Sequence, residues 1–92
     1  MIGSFRHKAL RPYFEDDNRS RLPADLVRRI GTILAALDSA ETVDDMNRPA
    51  FRMHPLRGEL AGFWSVTVNG NWRIIFRFED GQALDVDLVD YH

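Results

Sequence analysis

The sequence contains no cysteine. That removes a disulfide framework and cysteine-ligated zinc, and it fits a reducing compartment. Lysine is nearly absent as well. Of twelve basic residues eleven are arginine and one is Lys8, so the chain's positive charge sits on the side chain whose planar fork matches phosphate oxygens. No apolar run approaches the ~18 residues of a membrane span. The opening Met1-Ile2-Gly3-Ser4-Phe5-Arg6 has no apolar stretch after a basic start, so it does not read as a signal peptide. A cytoplasmic protein without membrane association is expected. Internal repeats, linkers, a glycine-rich phosphate loop and a nucleophile elbow are also missing.

What is present suits one globular domain spanning residues 1–92. The chain is 45% hydrophobic and 28% charged, too apolar for disorder. Its net charge is −2, which argues against a general nucleic-acid binder, but the charge is arranged in blocks. Residues 1–37 carry seven basic and four acidic side chains, and residues 38–47 carry four acids and no base. Residues 48–77 then carry five arginines against Glu59, and residues 78–92 carry five acids. A basic central segment can bind RNA locally while the whole molecule stays acidic. Solvated surface arginines explain the composition equally well.

Hydrophobic period changes once along the chain. Residues 2–6 read as a short strand. Residues 8–16 read as a first helix with Leu10, Tyr13 and Phe14 on one face, and Pro12 implies a late start or a bend. Residues 23–38 form the clearest helix, because Leu26, Val27, Ile30, Ile33, Leu34 and Leu37 make an apolar stripe at i, i+3, i+4, i+7 spacing. Arg28, Arg29 and Thr32 fall on its other face. Thr42-Val43-Asp44-Asp45 resembles a capping box. From residue 50 the period is two. Phe51 and Met53, then Trp64, Val66 and Val68, then Trp72, Ile74, Phe76 and Phe78, then Leu84, Val86 and Leu88 alternate with mostly polar neighbours. Asn69-Gly70 and Asp80-Gly81 mark hairpins. The reading is α+β, with two N-terminal helices packed on a small antiparallel β-sheet.

A few residues can carry chemistry. His54 ends the first meander strand, the tail reads Asp90-Tyr91-His92, and Arg57, Asn71 and Arg73 lie between. Cleaving RNA without a metal or other cofactor needs a base for the 2′-hydroxyl, an acid for the leaving 5′-oxygen and a cation for the phosphate. Histidine titrates near ~6.5 and serves as either base or acid. Asp, Tyr and Arg supply the rest. Blander readings exist for each. His54 can be a loop residue capping a carbonyl, Arg73 can pair with Asp85 or Asp87 across the sheet, and the tail can simply fray. His54, Asp90 and His92 can also be drawn as a two-histidine, one-carboxylate metal set. Trp64 and Trp72 have strand spacing and read as core rather than as base-stacking platforms. Strict alternation sends Asp90 and His92 to the apolar face and Tyr91 to the polar one. A buried, unpaired Asp is costly, so the last strand is expected to lose regularity near Val89. The alternative is that these residues sit at the sheet rim.

The pattern His54-Pro55-Leu56-Arg57-Gly58, Trp64-Ser65-Val66, Asn69-Gly70-Asn71-Trp72-Arg73-Ile74 and the terminal Val89-Asp90-Tyr91-His92 resembles HigB-like toxins of the RelE superfamily. The opening Ser4-Phe5-Arg6-His7-Lys8 and Ala36-Leu37-Asp38 are similar to that family as well. The resemblance implies a RelE-like fold and a metal-independent endoribonuclease that cuts mRNA on the ribosome. It implies a HigA-like helix-turn-helix antitoxin as partner, with operator DNA reached only through that antitoxin. Catalytic roles would fall on His54, Asp90, Tyr91 and His92, with Arg73 on the scissile phosphate and Asn71 in support. Arg57 stands where lysine is common in relatives, which keeps the charge but changes its shape. Pro12 falls where relatives continue a helix. Two other functions fit the same scaffold, a ParE-like gyrase inhibitor and an inactive antitoxin-binding module.

Overall fold

The computed structural model describes residues 1–91. Helix α1 covers Leu10–Asp16 and helix α2 covers Val27–Ser39. After a single 3-10 turn at Val43–Met46, four strands follow, β1 (His54–Pro55), β2 (Trp64–Asn69), β3 (Trp72–Glu79) and β4 (Gln82–Asp90). They form one antiparallel meander in the order β1-β2-β3-β4, so the expected α+β architecture is present. No helix is long and apolar enough to cross a membrane among the described residues.

Both helices start later than the sequence pattern suggests. Leu10 opens α1, which places Pro12 in the first turn, where no intrahelical N–H is required. Residues from Pro23 form a preceding turn closed by Leu26 N–H on the Pro23 carbonyl at 2.9 Å, and α2 proper starts at Val27. The apolar stripe behaves as expected, since Leu26, Val27, Ile30, Ile33, Leu34 and Leu37 are all buried. Each such side chain contributes roughly 1.5–3 kcal/mol on leaving water. Tyr13 ties the helices together by donating its hydroxyl to the Val27 carbonyl at 2.9 Å. The capping box at Thr42 also forms. The Asp45 carboxylate accepts the N–H groups of Glu41 at 2.8 Å and Thr42 at 3.1 Å, and these bonds hold its carboxyl below the usual range.

Val66, Val68, Ile74, Phe76, Ala83, Val86 and Leu88 cover the helices with one face of the sheet, and Trp64 and Trp72 pack against that core as expected. Three details of the meander differ from the period-two reading. Phe51 and Met53 do pack with the core, but Arg52 between them has φ +49 and breaks the extended chain, so β1 is only His54–Pro55. In the first hairpin the two loop residues are Gly70 and Asn71, because Asn69 pairs with Trp72; Gly70 takes φ +55. In β4 a bulge at Asp85 (φ +53) shifts the register. Ala83, opposite Phe78, is therefore the buried residue, while Leu84 pairs with Arg77 and is half-buried.

The outer edge of β4 is covered. Residues 2–6, read as a strand, run parallel to it through bridges Ile2–Ala83 and Phe5–Val86. Gly3 N–H bonds the Ala83 carbonyl and Arg6 N–H the Val86 carbonyl, both at 2.8 Å. Neither helix covers the second face of the sheet.

Candidate active site

Register decides which side chains share that second face, because cross-strand partners project to the same side. His54 is opposite Ser65, Ser65 opposite Ile75, and Ile75 opposite Asp87. The next row holds Thr67, Arg73 and Val89. Ile75 and Ser65 are buried here outside the main core, as is Phe63. The guanidinium of Arg6 lies 5.1 Å from the Phe63 ring centroid. Alternation past Val89 brings Tyr91 to the same side, and its N–H bonds the Asn71 carbonyl at 2.8 Å.

His54, Arg73 and Tyr91 thus follow a diagonal across the face. With strands ~4.8 Å apart and ~3.4 Å per residue, the Cα of Arg73 is about 12 Å from that of His54 and about 8 Å from that of Tyr91. The cation is in the middle, with one group able to move a proton on either side. His54 and Tyr91 are both exposed. Arg73 is half-buried, and its Nη1 donates to the carbonyls of Gly70 and Trp72, the first at 2.6 Å and the second at 3.0 Å. These bonds hold the stem against the hairpin and leave other N–H donors of the fork for a ligand.

Not every expected residue joins this diagonal. Asp90 pairs with Trp72, whose side chain packs on the helix-side core, so Asp90 belongs to the opposite side. It is exposed at the strand end. The expected loss of regularity near Val89 does not occur. β4 keeps its register through Arg73–Val89 and Trp72–Asp90, and the rim position is what spares Asp90 from burial. Asn71 is exposed in the hairpin loop, and Arg57 is exposed in the loop from β1 to β2, just before a 3-10 turn at Gly58–Leu60. His92 lies outside the described residues. Among the described residues no group of three or more His, Asp or Glu side chains is gathered as a metal site.

The alternative pairing of Arg73 with Asp85 or Asp87 across the sheet is not formed, and Asp85 pairs instead with Arg77, four residues along β3. Arg77 Nε donates to Asp85 at 3.0 Å, and Arg77 also pairs with Glu79. Arg73 is opposite Val89, away from Asp85, whereas Arg77 lies at the level of Leu84 and Asp85. The Asp85 hydrogen bond, before any other cause, raises the pKa of Arg77. A cavity of about 430 Å³ lies between α1 and α2, lined by Tyr13, Phe14, Gly31, Leu34 and Ala35 among others. It contains none of the diagonal residues and lies on the helical side of the sheet.

Comparison with known proteins follows the same lines. A family model described as "RelE-like toxin of type II toxin-antitoxin system HigB" matches residues 3–92. The protein named Endoribonuclease HigB from Proteus vulgaris is 45% identical over the full length of both chains. Toxin HigB-1 of Vibrio cholerae is 37% identical, covering 96% of this chain and 95% of its own. Among solved structures, a YoeB–YefM toxin–antitoxin heterotetramer from Staphylococcus aureus contains a chain that superposes with TM-score 0.66 at 17% identity, covering 100% of this chain and 98% of that one. A YafQ mutant from E. coli gives TM-score 0.61 at 13% identity, covering 98% and 93%. These likenesses establish the shared fold. The chain belongs to the HigB-like family, the RelE-like toxins of type II toxin–antitoxin systems.

Proposed function

We propose that this toxin is an endoribonuclease that cuts mRNA on the ribosome, using side chains of the open sheet face and the chain end. The observation that carries the reading is the diagonal, a cation flanked by His54 and Tyr91 on a face that no helix covers. The name of the Proteus vulgaris relative, 45% identical over its whole length, supports the same activity.

In this reading Arg73 holds the scissile phosphate and stabilises the charge that builds on its oxygens. Asp90 or His92 takes the 2′-hydroxyl proton. The 2′-oxygen bonds to phosphorus, the bond from phosphorus to the 5′-oxygen breaks, and His54 or Tyr91 protonates the leaving oxygen. The products are a 2′,3′-cyclic phosphate and a 5′-hydroxyl. Arg57 and Asn71 contact the strand on either side, and the reaction as drawn uses no metal or other cofactor. The family gives the toxin an antitoxin as partner. The finer proposal is a HigA-like antitoxin with a helix-turn-helix domain, through which alone the toxin reaches operator DNA.

Primer extension on a defined mRNA, with and without ribosomes, tests the activity. Cuts that appear only with ribosomes are expected. Equal cutting of free RNA contradicts ribosome dependence. Absence of cuts from folded protein, together with stoichiometric inhibition of gyrase supercoiling, contradicts the nuclease reading itself.

A further inference from the structure

The arginines divide by pairing. Arg11 pairs with Glu15, Arg19 with Asp17, and Arg77 with Asp85 and Glu79. Among the described residues, no carboxylate lies within ion-pair distance of Arg29, Arg48, Arg52 or Arg73. Arg11, on α1, and Arg19, just beyond it, each have a carboxylate partner. Among the described residues Arg6, Arg21, Arg28 and Arg57 form no ion pair either, and of all these unpaired cations Arg29 and Arg48 meet at one ring, next to Arg52.

Two of them share one aromatic ring, and a third follows that residue in the chain. The guanidinium of Arg29, on α2, sits 5.4 Å from the ring centroid of Phe51, and that of Arg48 sits 5.4 Å from the same centroid. The two charges are therefore no more than about 11 Å apart. Arg29 also donates to the Ala50 carbonyl, and Arg48 Nε donates to the Asp45 carbonyl at 3.3 Å. Backbone acceptors fix both side chains and each fork keeps further N–H donors, with the Asp45 carboxylate near Arg48 but outside ion-pair distance. Phe51 is buried, and its carbonyl accepts the Thr67 N–H at 2.8 Å. Thr67 is the register partner of Arg73. Arg52 follows, exposed, at φ +49, a conformation unusual for any residue but glycine. It turns the chain from the core at Phe51 toward His54. Arg29 and Arg48 thus belong to the helix layer, Arg52 stands at the sheet edge, and Arg73 lies on the open face in the same row.

We propose that Arg29, Arg48 and Arg52 form a second phosphate-binding rim, which grips the backbone of the single RNA strand as it leaves Arg73 around the β1 edge. This rests on the nuclease reading and extends it to the flank of the cut. The chemistry recognised is the phosphodiester, with no base preference from these residues.

The test is binding of a short, unstructured 2′-O-methyl RNA, which lacks the 2′-hydroxyl needed for cleavage, measured across a salt series. Each phosphate contact contributes about 0.7 to the slope of log K against log salt for a single strand. Arg29→Gln with Arg48→Gln should lower the slope by about 1.4, and Arg52→Gly by about 0.7. Glycine suits the positive φ, so that variant removes the charge without straining the fold. Arg29→Lys with Arg48→Lys should restore the slope, which separates lost charge from a damaged loop. Arg11→Gln with Arg19→Gln removes two paired charges and should leave the slope unchanged. An unchanged slope in the rim variants overturns the proposal. So does weakened binding confined to a ribosomal-RNA hairpin, or failure of the wild type to bind the probe. Cleavage on ribosomes is followed in parallel. Wild-type cleavage with an unchanged slope overturns the rim alone, whereas a lowered slope without cleavage supports the rim and sinks the catalytic reading.

Discussion

Replacing Gly31 by alanine should destabilise the protein, against the usual trend. In an exposed helix interior that change gains about 0.8–1 kcal/mol, because glycine is a poor helix former. Here a Cβ on Gly31 would stand 2.5 Å from the Tyr13 hydroxyl, far inside contact distance. Tyr13 must withdraw, and its hydrogen bond to the Val27 carbonyl breaks. That loss costs about 0.5–1.5 kcal/mol, and repacking a crowded ring costs roughly 1–3 kcal/mol more. The net expectation is about 1–2 kcal/mol of destabilisation after the helix gain is subtracted. For a domain of this size that is a fall in Tm of roughly 5–15 °C. Tyr13→Phe supplies the control. Without the hydroxyl the nearest ring atom to the new Cβ is Cζ, at 3.5 Å, an ordinary contact. Gly31→Ala should then become neutral or stabilising. Urea unfolding of the four proteins measures the coupling, expected near 2 kcal/mol. A wild-type background in which Gly31→Ala raises stability refutes the reasoning.

Other consequences are simpler. Asp80→Ala should cost about 1–2 kcal/mol, since Asp80 holds φ +51 in the β3–β4 hairpin and alanine tolerates that conformation poorly; Asp80→Gly should not, and thermal melts compare the two. Asp45 has a depressed carboxyl pKa, so its stabilising effect is present above the unfolded value of ~3.9 and is lost as pH falls through the lower folded value. The stability gap between wild type and Asp45→Ala should therefore be full at neutral pH and close in acid; a gap independent of pH contradicts the assignment. Arg73→Ala should slow single-turnover cleavage by about 10²–10³-fold, the range for removing one donor to a developing oxyanion. Arg73→Lys should fall between, retaining charge without the fork.

The helices, the meander and the buried stripe of α2 were legible because they depend on periodic burial. What escaped the sequence depends on single backbone angles. Arg52 and Asp85 both take positive φ, and neither residue type announces it. The first reduces β1 to two residues. The second shifts β4 by one and exchanges Leu84 for Ala83 in the core. Asp90 shows the reverse. Alternation placed it correctly, and of the two ways to spare it from burial the rim position holds rather than the loss of regularity, because a strand end is exposed. Arg29 was visible only on the polar face of a helix, and Arg48 and Arg52 only as part of a basic block, because what stands beside a charge is a fact of three dimensions.

The central claim is that the open face of the sheet carries the chemistry. Single-turnover cleavage of ribosome-bound mRNA by His54→Ala, with the melting curve confirming a native fold, tests it most directly. The account predicts a loss of about 10²–10⁴-fold, the contribution of a positioned proton-transfer group. Cleavage at the wild-type rate by the folded variant would contradict it.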